Sequence, residues 1–233
     1  VVSYKYRTTE GAWADYAPGQ ERPTDIAETT TIDGETVDFI VRWERGTINR
    51  FIYSVAMLDS APALDGSPQG ADWNGRALYY FQGGVAIGHT QGSPSGSRML
   101  YHDALKLGYG VIYSTGTKTG THYDLELGAE TALMTKERFI EAYGAPLYTV
   151  SVGGSGGGIQ QYIYGQNLGT RLIDAAIPQY SYPDMVTQTI HIGDCELLEY
   201  YMDLDSLTNP ASLWSTWSNR SWLIGLNASD YLD

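Results

Sequence analysis

Short apolar runs separated by glycine-rich breaks dominate the chain. Val37-Asp38-Phe39-Ile40-Val41-Arg42-Trp43 and Asn49-Arg50-Phe51-Ile52-Tyr53-Ser54-Val55-Ala56 are rich in β-branched and aromatic residues and predict a pair of strands. After a loop over residues 60–74, the run Arg76-Ala77-Leu78-Tyr79-Tyr80-Phe81 stops at Gln82-Gly83-Gly84, as a buried strand does on meeting a turn. From there the pattern alternates. Residues 97–107 read as a helix ended by Gly108, and Gly110-Val111-Ile112-Tyr113-Ser114 as a strand. Residues 129–143 form the clearest helix, because Ala132, Leu133, Lys136, Phe139, Ile140 and Tyr143 share one face and Gly144 ends it. A strand at 147–152, a helix at 159–167 and a strand at 172–177 follow.

Strands that are apolar throughout, alternating with helices, predict an α/β fold: a mostly parallel sheet with helices on both faces. The runs 78–81, 111–113, 147–152 and 172–177 are its expected adjacent central strands. Around this core (37–183) lie a polar, turn-rich segment, 1–36, and a helical, Trp-bearing segment, 184–233, in which 195–204 reads as helix. The later segment looks like the start of a lid. About six core strands are legible where such a sheet is expected to hold two more, so the domain reads as incomplete at its C-terminal end and as part of a larger protein.

Composition narrows the functions. With 14 Lys+Arg against 27 Asp+Glu in 233 residues, the formal net charge is −13. That argues against a nucleic-acid partner, whose phosphates must be met by cations. No apolar run approaches the ~18 residues of a membrane span. A lone Cys195 excludes an internal disulfide and a Cys-rich zinc site. No register of the glycines supplies G-x-G-x-x-G, and no Gly-Lys-Ser/Thr follows them, so no cofactor is expected. An acidic, Lys-poor chain with 19 Tyr and 6 Trp has the composition of a secreted or periplasmic protein.

The informative motif is Val150-Ser151-Val152-Gly153-Gly154-Ser155-Gly156-Gly157-Gly158-Ile159-Gln160. Gly153, Ser155 and Gly157 fit G-x-S-x-G, in which a serine sits at the tip of a tight strand-to-helix turn and small neighbours prevent collisions. A flexible linker has this composition too, but does not join an apolar strand directly to a helix. Serine acyl transfer also needs two backbone N–H groups for the oxyanion, one from the residue after the serine and one from a loop after an earlier strand. Gly156 and the pair Gly83-Gly84 occupy those places. The third requirement is a base and an acid. One histidine, His191, follows Ser155, flanked by Asp184 and Asp194. His89, His102 and His122 precede it, against the usual order of serine, acid, histidine. Either His191 with Asp184 or Asp194 completes the set, in a tight spacing, or the base and acid lie outside this chain.

Four stretches carry a resemblance: Glu44-Arg45-Gly46-Thr47-Ile48-Asn49-Arg50, Gly88-His89-Thr90-Gln91-Gly92, Val152 to Gln161, and Ser181-Tyr182-Pro183-Asp184-Met185-Val186-Thr187. Over roughly residues 35–233 the chain resembles a family of large secreted bacterial proteins of unknown function in the α/β-hydrolase superfamily. That family is distantly similar to tannase-like and polyhydroxyalkanoate-depolymerase-like esterases. The resemblance implies that Ser155 is the nucleophile, that Gly83-Gly84 serve the oxyanion, and that the acid and histidine come from a following segment. Val85-Ala86-Ile87 lacks the cysteine often found there in the family.

These readings converge on a serine esterase or related acyl hydrolase acting on a small-molecule or polymeric ester. The alternative is a non-catalytic module of the same fold, used for binding or assembly. Its surface aromatics, with Trp214, Trp217 and Trp222, would then contact a polymer or carbohydrate. A further chain or segment of the same precursor is the expected partner.

Overall fold

The computed structural model describes residues 1–67, 72–181 and 185–224. The chain forms two compact units, Val1–Ser181 and Tyr182–Asp233. In the first, the strands in chain order are β1 (Val2–Arg7), β2 (Trp13–Tyr16), β3 (Glu28–Thr30), β4 (Thr36–Asp38), β5 (Ile40–Ile48), β6 (Phe51–Leu58), β7 (Arg76–Tyr80), β8 (Gly110–Ser114), β9 (Tyr148–Gly154) and β10 (Ala175–Gln179). The helices are α1 (Gly96–Met99), α2 (His102–Leu105), α3 (Leu125–Tyr143) and α4 (Gly156–Leu168). Eight strands build one sheet in the order β10-β9-β7-β8-β6-β5-β1-β2, and β3 pairs with β4 apart from it.

The strands expected at the centre are adjacent and parallel: β10 with β9, β9 with β7, and β7 with β8. The sheet then continues antiparallel through β6, β5, β1 and β2. This is the α/β-hydrolase architecture that the resemblance implies. Because β8 lies on one side of β7 and β9 on the other, the direction of chain progress reverses between β7 and β9. In open α/β sheets a crevice forms at such a reversal, beyond the carboxyl ends of the strands.

Period-two alternation sorts the side chains into two cores. Val41, Trp43, Ala56, Leu58, Leu78, Val111 and Tyr113 pack with Met99 and Leu105 of α1 and α2. Val55, Met57, Ala77, Tyr79 and Ile112 pack on the other face with Ala132 and Phe139 of α3 and Tyr164 of α4. Helix α3 starts where the Asp124 carboxylate accepts from the N–H groups of Glu126 and Leu127, and it ends at Gly144 with φ 99°, an N-cap and a glycine stop.

The structure departs from the sequence reading in four places. Residues 1–36, read from their polarity as a segment apart, lie in the same unit and add β1 and β2 to the sheet. They alternate: Tyr4 and Tyr6 are buried while their neighbours are not. The expected strand pair is present as the hairpin β5–β6, but its bounds differ: Thr36–Asp38 is the separate strand β4, paired with β3, and Asn49 and Arg50, both with positive φ, form the turn. The expected helix over 97–107 is two single turns, because Leu100 and Tyr101 leave helical geometry and Tyr101 packs against Tyr80, 5.2 Å between centroids. Finally β10 begins at Ala175. Leu172 and Ile173 belong to the turn before it and fill the core under the sheet, while Ala175, Ala176 and Ile177 are exposed on the edge strand.

The second unit contains α5 (Met185–Thr208) and α6 (Trp217–Ile224), with a single turn over Leu213–Ser215 between them. Arg220 of α6 pairs with Asp203 of α5 at 2.7 Å and donates to the Trp214 carbonyl at 2.8 Å. No helix among the described residues is long and apolar enough to cross a membrane.

Candidate active site

Ser155 stands between the last residue of β9 and the first of α4, with φ 55° and ψ −121°. Positive φ in a residue with a Cβ is strained and persists only where the surroundings hold it. Two sets of contacts do so here. The Ser155 N–H donates to the Gln179 carbonyl of β10 at 2.9 Å, and the Ser155 carbonyl accepts from Gly158 and Ile159 N–H at 2.8 and 3.2 Å. Buried Gln161 braces the same turn from below. Its Nε2 donates to the Gly153 and Gly157 carbonyls, both at 3.0 Å. Its Oε1 accepts from Ser151 Oγ at 2.9 Å and Ile177 N–H at 3.0 Å.

The glycines are a packing requirement. A Cβ on Gly153 or on Gly157 would lie 2.1 Å from the Phe81 carbonyl oxygen at the end of β7. The backbone of β7 therefore touches the turn on both sides of the serine, which no larger residue permits. Gly83 belongs to the same contact: a Cβ there would stand 2.5 Å from the Gly154 carbonyl and 3.5 Å from Ser155 Cβ. A Cβ on Gly156 would stand 2.6 Å from the Gly84 carbonyl and 2.8 Å from Thr119 Oγ1. Gly84 has φ 109°, and its carbonyl accepts from the Thr119 hydroxyl. The structure thus brings Gly83, Gly84 and Gly156 together around Ser155. The Gly156 N–H is in the first turn of α4, where no intrahelical acceptor exists and the helix dipole is positive.

This cluster lies beyond the carboxyl ends of β7 and β9, where the order of the sheet reverses. Its chemical capacity is clear: a hydroxyl presented at a helix N-terminus, beside glycine backbone that approaches as closely as backbone can.

The remaining predicted site residues are placed differently. Asp184 lies outside the described residues. His191 falls within α5, its side chain outside the described residues, and Asp194 is exposed on the same helix. Three histidines belong to the first unit. Both ring nitrogens of His122 are engaged: Nε2 donates to the Gly116 carbonyl at 2.5 Å and Nδ1 accepts from Asp124 N–H at 3.2 Å. Its ring stacks on Phe51 at 4.8 Å. His102 stacks on Phe39 at 5.4 Å and its Nδ1 lies 3.4 Å from Asp103. His89 is exposed on a bridge to His122.

Gln161 and Thr119 are site residues that the sequence reading did not assign. Gln161 carries a usable signal: it lies three residues after Gly158, on a helix whose buried positions include Gln160 and Gln161 where apolar residues would be expected. Thr119 carries none, because a threonine in a Thr/Gly loop is unremarkable until the loop is folded against Gly84.

No curated protein is matched by the chain. Among solved structures, that of EstE5-PMSF is 17% identical, with 73% of this chain and 55% of that one covered and a TM-score of 0.41. Brefeldin A esterase, a bacterial homologue of human hormone sensitive lipase, is also 17% identical, over 75% of this chain and 48% of that one, with a TM-score of 0.36. The rice cell wall degrading esterase LipA from Xanthomonas oryzae is 15% identical, over 65% and 39%, with a TM-score of 0.33. The chain matches about half the length of the first two. The model of the tannase-like family of unknown function (DUF6351) matches residues 1–233, and the chain belongs to that family.

Proposed function

We propose that this protein is a serine ester hydrolase with Ser155 as its nucleophile. The observation that carries the reading is the strained serine between β9 and α4, with Gly83 backbone packed alongside it. In the reaction, Ser155 Oγ attacks the ester carbonyl carbon and gives up its proton to a histidine. The carbonyl electron pair moves onto oxygen, where N–H groups of the Gly83-Gly84 turn and of Gly156 receive it. Collapse of the tetrahedral intermediate expels the alcohol, which takes the proton back, and leaves an acyl-serine. Water, activated by the same base, repeats the sequence and releases the acid. The base and its carboxylate are supplied by His191 with Asp184 or Asp194, or by residues beyond these 233. The substrate is a small-molecule or polymeric ester met outside the cytoplasm.

Ser155→Ala tests this. Hydrolysis of a short p-nitrophenyl ester by the natural protein should fall by at least about a thousandfold in the variant, and a fluorophosphonate should label the natural protein at Ser155 alone. Turnover by Ser155→Ala at the natural rate overturns the reading. A second reading, binding of a polymer or carbohydrate through surface aromatics, is favoured by Trp222 and Tyr200, exposed by 81% and 70% in the second unit. Specific labelling of Ser155 would count against it as the whole function.

A further inference from the structure

A cavity of about 310 Å³ adjoins the Gly83-Gly84 turn, bounded by Gln82, Tyr113, Thr115, Thr121 and Lys118 among others. None of its lining residues is acidic, in a chain where acids outnumber basic residues 27 to 14. Lys118 is its cation. Among the described residues the Lys118 ammonium has neither an ion pair nor a hydrogen bond. Six of the chain's thirteen other Lys and Arg side chains face carboxylates: Lys5, Arg22, Arg76, Lys106, Arg138 and Arg220.

The position of Lys118 is fixed by backbone. A Cβ on Gly84 would stand 3.1 Å from Lys118 Cε, and one on Gly120 would stand 3.2 Å from the same atom. The aliphatic stem therefore runs between two glycines, which holds the ammonium beside the turn. The next residue, Thr119, donates its hydroxyl to the Gly84 carbonyl, and Gly84 touches Gly156 next to Ser155. Lysine, turn and serine are thus parts of one packed unit. Tyr113 donates to Gln82 Oε1, which leaves the Gln82 amide hydrogens as further donors at the cavity.

We propose that Lys118 receives a carboxylate carried by the ester substrate, so that the preferred substrates are esters bearing a free carboxyl group. A single ammonium with neutral donors matches a monoanion; a phosphate dianion is ordinarily met by more than one cation or by a bidentate arginine. An unpaired cation in a polar cavity also attracts an anion with no lining carboxylate to repel it. The ligand's being an ester rests on the hydrolase reading above; the anion preference does not.

The test separates the two. In the Ser155→Ala protein, where turnover does not deplete the ligand, monomethyl glutarate and neutral methyl butyrate are titrated by calorimetry. A charge-assisted contact predicts at least about tenfold tighter binding of the hemiester. That ratio should collapse toward one when Lys118→Met is added and be largely kept with Lys118→Arg. With Ser155 intact, the same ratio should appear in kcat/KM for carboxylate-bearing against neutral aryl esters, with the carboxylate on either the acyl or the alcohol part. Equal binding of the two esters, or a ratio that survives Lys118→Met, overturns the inference. A preserved, Lys118-dependent ratio in a protein whose Ser155 never labels supports the anion site and overturns the hydrolase reading instead.

Discussion

The parallel strands β7 and β9 end in backbone held together by glycines, whereas the antiparallel strands β6, β5 and β1 are tied by charged and phenolic side chains. At the parallel end, Gly153, Gly157 and Gly83 let three segments of main chain touch around Ser155. At the antiparallel end, buried Glu44 of β5 accepts from Tyr53 at 2.8 Å, Tyr143 at 2.6 Å and Arg138 at 2.8 Å. Arg42, two residues before, donates to Tyr143 at 3.2 Å, Tyr4 at 3.0 Å and the Gly66 carbonyl at 2.6 Å. One region gives up side chains to gain proximity; the other uses side chains to lock strands to α3. The proposed reactive geometry and the side-chain network that holds the fold thus lie on different parts of one sheet.

The strongest way to break that division is at the glycines. Gly157→Ala drives a methyl group to 2.1 Å from the Phe81 carbonyl, and the turn and β7 must separate. Labelling of Ser155 should slow by about a hundredfold, the order of loss that a 1 Å misplacement causes. Thermal unfolding should show a loss of about 3 kcal/mol. A protein with natural labelling and stability would show that the contact is not required.

Glu44→Gln should do the opposite: cost stability and spare the site. Burial pushes the Glu44 carboxyl up, but hydrogen bonds from Tyr143, Tyr53 and Arg138 outweigh it and hold it below its ordinary 4.5. That contribution is complete above 4.5 and is lost as pH falls through the lower folded value. At pH 7 the substitution should cost about 2 kcal/mol in urea unfolding, reduced from the fully buried case because Arg138 is partly exposed. The labelling rate of Ser155 should be unchanged; a parallel loss of both would mean that the two regions are coupled.

Asp59, just past β6, gives the smallest effect and the opposite sign. It is fully buried, and neither carboxylate oxygen has a hydrogen-bond partner among the described residues. Burial, against the attraction of Arg42 and with the repulsion of Asp72, pushes it up from 3.8 to about 6. The folded state is therefore penalised above about 6, and the penalty vanishes below 3.8, where both states are protonated. Asp59→Asn should stabilise the protein at pH 8 by about 1–2 kcal/mol, and the gain should fade on acidification. A gain independent of pH would point away from the charge.

Much of this arrangement was written in the local sequence. Continuous apolar strands, the Gly144 stop and the glycines around Ser155 are local signals, and each led to the observed strand, helix or turn because backbone propensity and packing agree there. Others were not local. The polarity of residues 1–36 concealed β1 and β2, since β1 buries only every second side chain and the edge strand β2 buries none fully. Lys118 and Thr119 sit in unremarkable surroundings along the chain. What the sequence determined by itself was the alternation of strands and helices at the centre of the sheet and the serine between strand and helix. That Lys118 would be pinned beside the Gly83-Gly84 turn, and that Glu44 would gather two tyrosines and an arginine, only the tertiary structure decided. These contacts join residues dozens of positions apart, and no local preference encodes which distant backbone will arrive.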